Sequence, residues 1–251
     1  MTFSLSPPVL SLQQSPVEAL QKDGFAIVSA EHLAELSGVD LTDLLAWRSL
    51  WNDLPPDRYL RDGGRYRRRR HSCFVVEQNS LTFVPHRAHW QPVEYNALHG
   101  GMERHFEAMD STMVHHDAWK KLLIWLGQVS SALWSERPWY TEAHQFRIDT
   151  TDGIGRPTPE GAHRDGVDLV AVFLVDRQGV KGGETRVFDA SGPHGQRFTL
   201  AQPWSVLLLD DARVIHESTP IQPLDGSGYR DTLVITLRSN GFQGTETIIA
   251  S

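Results

Sequence analysis

A single cysteine, Cys73, stands in 251 residues. One thiol closes no internal disulfide and builds no Cys-rich zinc module. No apolar run approaches the length of about 18 residues that a membrane-spanning helix needs. Met1–Leu12 lacks the basic start and apolar run of a secretory leader. An excess of cations is missing too: 24 basic against 31 acidic side chains leave a formal charge of −7. That balance argues against general affinity for nucleic acid or anionic membranes. Neither internal repeats nor low-complexity segments interrupt the chain. The expectation is a soluble, cytoplasmic protein folded as one domain over 1–251, long enough to bury roughly three quarters of its unfolded surface.

Residues 16–51 read as helical, interrupted by a first strand at Gly24-Phe25-Ala26-Ile27-Val28. Residues 52–71, rich in Arg, Asp, Gly and Pro, read as loop with room for one strand. The clearest helix runs from about Ser111 to Trp134, where Val114, Ala118, Leu122, Trp125, Leu126, Val129 and Leu133 recur three and four apart as one buried stripe. After Pro138 the pattern turns to short β-type runs: His144–Ile148, Val167–Val175, Thr185–Phe188, Ser205–Leu209 and Thr232–Leu237. A helix-rich or mixed supporting half, about 1–138, before a β-rich half, about 139–251, predicts an α+β protein with a sandwich or barrel.

Twelve histidines direct attention to metal chemistry. His163-Arg164-Asp165 opens the run Val167–Val175, and residues two apart on a strand share a face, so both side chains can meet one ion. Two other His-x-acid triplets, His105-Phe106-Glu107 and His115-His116-Asp117, sit in helical or loop surroundings. On a helix such a spacing points side chains about 200° apart, which leaves them as solvated surface. Beyond Asp165 comes His216, after the strand Leu207-Leu208-Leu209 and the acidic turn Asp210-Asp211. Two imidazoles and one carboxylate leave three adjacent positions open on a metal, the arrangement of non-haem Fe(II) oxygenases. Arg230 precedes the last apolar strand, where its guanidinium can grip a carboxylate in a fork, with Thr232 two residues on as a hydroxyl donor.

These residues, with Gly182-Gly183-Glu184-Thr185 and Leu209-Asp210-Asp211, resemble the iron- and 2-oxoglutarate-dependent dioxygenases. Within that group the chain is most similar to the bacterial branch of free amino-acid hydroxylases that includes L-isoleucine 4-hydroxylase. Gly63-Gly64-Arg65-Tyr66-Arg67, Tyr95-Asn96-Ala97-Leu98-His99-Gly100-Gly101 and Glu142-Ala143-His144-Gln145-Phe146-Arg147-Ile148 carry that closer likeness. The resemblance implies a double-stranded β-helix (a cupin-like jelly roll) supported by N-terminal helices. It further implies Fe(II) held by His163, Asp165 and His216, 2-oxoglutarate as co-substrate held by Arg230, O2 as oxidant, and hydroxylation of a small molecule such as a free aliphatic L-amino acid. Asp165 speaks against halogenation, which needs the carboxylate's place for the halide.

Weaker signals surround this core. Arg65-Tyr66-Arg67-Arg68-Arg69-Arg70-His71 is the only basic run, but its minimal aromatic interleaving in an acidic chain argues against nucleic acid. The resemblance puts it near the active site, where one arginine would meet a substrate carboxylate. Alternation separates Arg65, Arg67 and Arg69 from Tyr66, Arg68 and Arg70 without choosing among them; Arg67 stands as the candidate, with Arg147 beside it. Gln145 shares a strand face with Arg147 and is a candidate contact for 2-oxoglutarate; a structural hydrogen-bonding role suits both equally. Cys73 reads as a small buried residue. Two rival readings fit the same metal ligands: a cupin-type metalloenzyme that needs no 2-oxoglutarate, and a non-enzymatic ligand-binding protein tied to stress or biofilm formation.

Overall fold

The computed structural model describes residues 6–96, 98 and 100–244; Ala97 and His99 of the segment quoted above, and the start of the N-terminal stretch, lie outside them. Ser15 opens α1 (Pro16–Asp23) by accepting from the Glu18 amide, with Pro16 in the first turn, where a missing N–H is no loss. Gly24 turns the chain at φ +76°, a conformation L side chains rarely adopt, into β1 (Phe25–Val28). Capped helices α2 (Ala30–Ser37) and α3 (Leu41–Ala46) and a 3-10 turn (Trp47–Trp51) follow. Next come β2 (Arg67–Glu77), β3 (Ser80–Phe83), α4 (Ser111–Val114) and α5 (Asp117–Trp134). The remainder is β: β4 (Trp139–Asp149), β5 (Leu169–Gln178), β6 (Val180–Gly182), β7 (Thr185–Asp189) and β8 (Gly195–Phe198). Last are β9 (Val206–Asp210), β10 (Val214–Ser218), β11 (Ile221–Pro223) and β12 (Tyr229–Arg238).

The helix expected from Ser111 is broken at His115-His116, because His116 caps α5 by accepting from the Ala118 amide through Nδ1. Its apolar stripe is otherwise as the periodicity places it: Ala118, Leu122, Trp125, Leu126 and Val129 are buried. The polar segment before residue 71 ends in an eleven-residue strand, β2, whose four arginines belong to the sheet.

β1, β9, β5, β12, β4, β2 and β3 form one antiparallel sheet in that order. Helices cover one face, with Trp51, Trp119 and Trp204 fully buried there. Trp47 meets Trp119 and Trp204 edge to face at 6.2 and 6.1 Å, and aromatic pairs of this kind add about 0.5–1.5 kcal/mol beyond their area burial. The Trp51 indole N–H donates to the carbonyls of both Phe146 (3.1 Å) and Thr232 (3.2 Å), pinning the helical layer to the seam between β4 and β12.

Smaller sheets, β10-β7-β8 and β11-β6, face the other side and complete the jelly roll. Over β5 and β9 the two layers are joined by apolar side chains such as Val170, Leu174, Val187, Phe198 and Leu207. Over β12, β4 and β2 they are not. Register there sets four inward-facing rows: Arg230, Ile148 and Arg67; Thr232, Phe146 and Arg69; Val234, His144 and His71; Thr236, Glu142 and Cys73. This polar floor is the base of a cavity. Among the described residues no helix is long and apolar enough to cross a membrane.

Candidate functional site

His163 and Asp165 do not stand on a regular strand. They lie in the turn before β5, tied to β10 by a two-way backbone bridge between His163 and His216 at 3.0 Å each. The bridge brings the three side chains to one point. His163 Nε2 lies 3.7 Å from Asp165 Oδ1, and His216 Nε2 lies 3.8 Å from Asp165 Oδ2. His163 Nδ1 is 2.9 Å from the Gly161 carbonyl, so that nitrogen carries a proton and Nε2 is the one turned to a metal, the usual outer contact of a ligating imidazole. Burial and the neighbouring His163 press His216 well below the ordinary histidine range, leaving it neutral. Burial also works against a charge on His163, yet Asp165 and Glu160 outweigh it and raise that group. The spot favours a cation, and two imidazoles with a carboxylate suit a divalent transition ion.

The turn is held from three sides. Asp211 accepts the backbone N–H groups of Asp165, Gly166 and Val167 at 2.7–3.1 Å; burial and the charge of Asp165 push Asp211 up to about 7. Gln243 donates to the carbonyls of Asp165 and Gly166. From the segment between β3 and α4, Gln91 donates to Asp165 Oδ1 at 3.3 Å while its own oxygen accepts from Asn96 and Arg104. Gly166 sits at φ +75°, and a Cβ there would fall 2.5 Å from the Tyr95 ring.

Arg230 and Thr232 line the same cavity as the three metal donors. Arg230 is 3% exposed, its Nε has no partner, and burial brings it down only to about 10, so it remains a cation at neutral pH. Arg67 also lines the cavity; its Nε is held by Asp57 at 2.7 Å and its buried Nη2 has no partner.

Gln145 and Arg147 are placed elsewhere. Even positions of β4 face the cavity, so odd ones point to the helices. Gln145 is fully buried with Nε2 3.8 Å from Met113 Sδ. Arg147 grips Asp231 through two hydrogen bonds of 2.6 and 2.8 Å and donates to Asn52. Both serve the layer interface rather than a ligand, which corrects their reading as co-substrate and substrate contacts.

Sequence reasoning left Arg69 open among the arginines of its run and passed over much of the rest of the wall. Arg69 is sandwiched between Phe106 (3.8 Å) and Phe146 (4.5 Å) and donates to His144 Nδ1 at 2.8 Å. Arg104 joins it from the segment over the cavity. Four further groups, His71, His89, Glu142 and His144, bring donor atoms within 4.8 Å of one another. His144 and Glu142, two apart on β4, were visible as a pair; His71 and His89 meet them only through register and the overlying segment.

Residues 48–236 match the family model described as 2OG-Fe dioxygenase. Among solved structures, the chain is 53% identical to a bsmA homolog from Methylobium petroleophilum PM1, with 95% of this chain and 97% of that one covered at a TM-score of 0.89. IDO from Bacillus thuringiensis superposes at 0.73 with 16% identity, covering 94% and 99%. TqaL, described as an Fe(II)/(alpha)ketoglutarate-dependent dioxygenase, superposes at 0.69 with 20% identity, covering 91% and 87%. These last two show a shared fold. No curated protein matches the chain in sequence.

Proposed function

Because the chain belongs to the 2OG-Fe dioxygenase family, whose members use Fe(II), 2-oxoglutarate and O2, we propose that this oxygenase hydroxylates a free aliphatic L-amino acid. Membership sets aside both rival readings, the cupin enzyme without 2-oxoglutarate and the non-enzymatic binder. When bound, the iron with its co-substrate and O2 supplies the oxidation of an unactivated C–H bond. His163, Asp165 and His216 would hold the metal and leave three adjacent positions for reactants. Arg230, with Thr232 beside it, would grip the far carboxylate of 2-oxoglutarate.

The observation that carries the substrate reading is the arginine wall beside these donors. Arg67 Nη2, Arg69 Nε and Arg104 Nε are buried without partners. A desolvated N–H of a cation calls for an acceptor, and a carboxylate of a small ligand supplies one. Apolar side chains of Val167, Val172, Val234 and Phe242 line the same cavity and would shield an aliphatic chain from water. The test is succinate release by the iron-loaded protein with 2-oxoglutarate and each of the twenty L-amino acids. Release above the substrate-free rate, with an aliphatic amino acid gaining one oxygen by mass, is expected. Iron and 2-oxoglutarate bound, with no stimulation by any amino acid, would refute the substrate reading.

A further inference from the structure

Glu142 is 8% exposed, at the cavity floor, and every hydrogen bond to it falls on one oxygen. His71 Nε2 and His89 Nδ1 donate to Oε2 at 2.8 and 2.7 Å, and His144 Nε2 stands 4.0 Å from it. Among the described residues Oε1 receives none.

Three imidazoles and a carboxylate resemble a zinc donor set, but Arg69 decides against it. A guanidinium only donates, so His144 Nδ1, 2.8 Å from Arg69 Nη2, must accept. Its proton is therefore on Nε2, and His144 turns an N–H, not a lone pair, toward Glu142. The group is a cage of N–H donors around an anion. Burial alone would drive Glu142 toward its neutral acid, yet His89 and His71 more than offset it and hold the carboxyl below the usual range. His89, pressed by burial to about 4, stays a neutral donor. The cage thus keeps a carboxylate ionised while leaving half of its acceptor capacity facing the cavity, where a desolvated anion is costly unless paired.

We propose that Glu142 receives the ammonium group of the substrate through Oε1, so that the cavity reads a zwitterion by its two ends, with the arginine wall taking the carboxylate. This rests on the amino-acid reading above and sharpens it: the amine must be free and protonated. An ammonium has three N–H donors, and one bound at Oε1 meets the unsatisfied half of Glu142.

The experiment is calorimetric titration of the iron-loaded, 2-oxoglutarate-bound protein under argon. Ligands are L-isoleucine, L-leucine and L-valine and the matching desamino acids, in which hydrogen replaces the amine. The wild type should bind an amino acid roughly 10–100-fold more tightly than its desamino partner, as a charged hydrogen bond in a buried site implies. Glu142→Gln, checked for an unchanged melting profile, should erase that preference without weakening the desamino acid. Amino acids that stimulate succinate release yet bind no better than desamino acids would overturn the proposal and leave the amino-acid reading standing. Equal weakening of both ligand sets in Glu142→Gln would assign Glu142 a structural role and also overturn it. A second metal ion per chain, lost in His89→Gln, would overturn it in favour of a metal. Failure of every amino acid to bind or to stimulate turnover would sink the underlying reading as well.

Discussion

Lowering the pH should destabilise this protein through His89. Burial brings that imidazole from 6.5 to about 4, so the folded state holds it neutral where the unfolded chain would charge it. A depressed histidine contributes stability that is complete above the unfolded value and is lost as pH falls through 6.5 toward 4. At pH 5 the difference in proton uptake costs about 2 kcal/mol, rising to about 3 kcal/mol at pH 4. Burial lowers His71 and His144 as well. Both act in the same direction as His89, against a whole-domain stability of about 5–15 kcal/mol. Urea unfolding followed by tryptophan fluorescence at about pH 7.5 and about pH 5 measures the loss. His89→Gln supplies the control: it should lose about 2 kcal/mol less than wild type over the same interval. Taking the difference between the two proteins cancels whatever His163 and His216 contribute. Equal losses in both would refute the assignment of a neutral, desolvated His89.

Two further expectations concern the supports of the site. Asp57→Asn removes the buried partner of Arg67 (2.7 Å) and Arg69 (3.8 Å) and should destabilise by about 3–5 kcal/mol, since it strands buried charge; calorimetric melting reads this directly, and a loss under about 1 kcal/mol would contradict it. Gly166→Ala combines a φ of +75° with a Cβ 2.5 Å from Tyr95. It should cost more than about 1 kcal/mol and weaken metal retention by disturbing the turn that carries Asp165, which equilibrium dialysis against a weak chelator would report; unchanged retention and melting would show that the turn yields freely.

Much of the frame is legible in one dimension because it rests on local pattern. α5 shows its buried stripe through spacing, and β5, β9 and β12 show through apolar runs buried on both sides. β2 is hidden for the opposite reason. Its inward face meets a polar cavity, so Arg67, Arg69 and His71 stand where an apolar alternation would betray a strand. The parity of β4 is also ambiguous in sequence. Glu142, His144 and Phe146 on one face and Ala143, Gln145 and Arg147 on the other each mix polar with apolar side chains, and Gln145 and Arg147 were chosen from the side that faces the helices. His163, Asp165 and His216 can be picked out by residue type and order, although the turn that carries the first two is not the strand the apolar run implies. The histidine cage was out of reach because His71 pairs opposite His144 only through strand register, and His89 arrives from a segment with no regular structure.

The floor of the cavity has one more property, which is length. A strand advances about 3.3 Å per residue, so Arg230 and Thr236 on β12 stand about 20 Å apart along the chain, and Thr236 pairs opposite Glu142. Neither a five-carbon diacid nor an aliphatic amino acid spans that distance alone. A molecule anchored at one end leaves the other end open, so the strand itself serves as a spacer between the co-substrate's carboxylate at Arg230 and an ammonium at Glu142, with no partition between them.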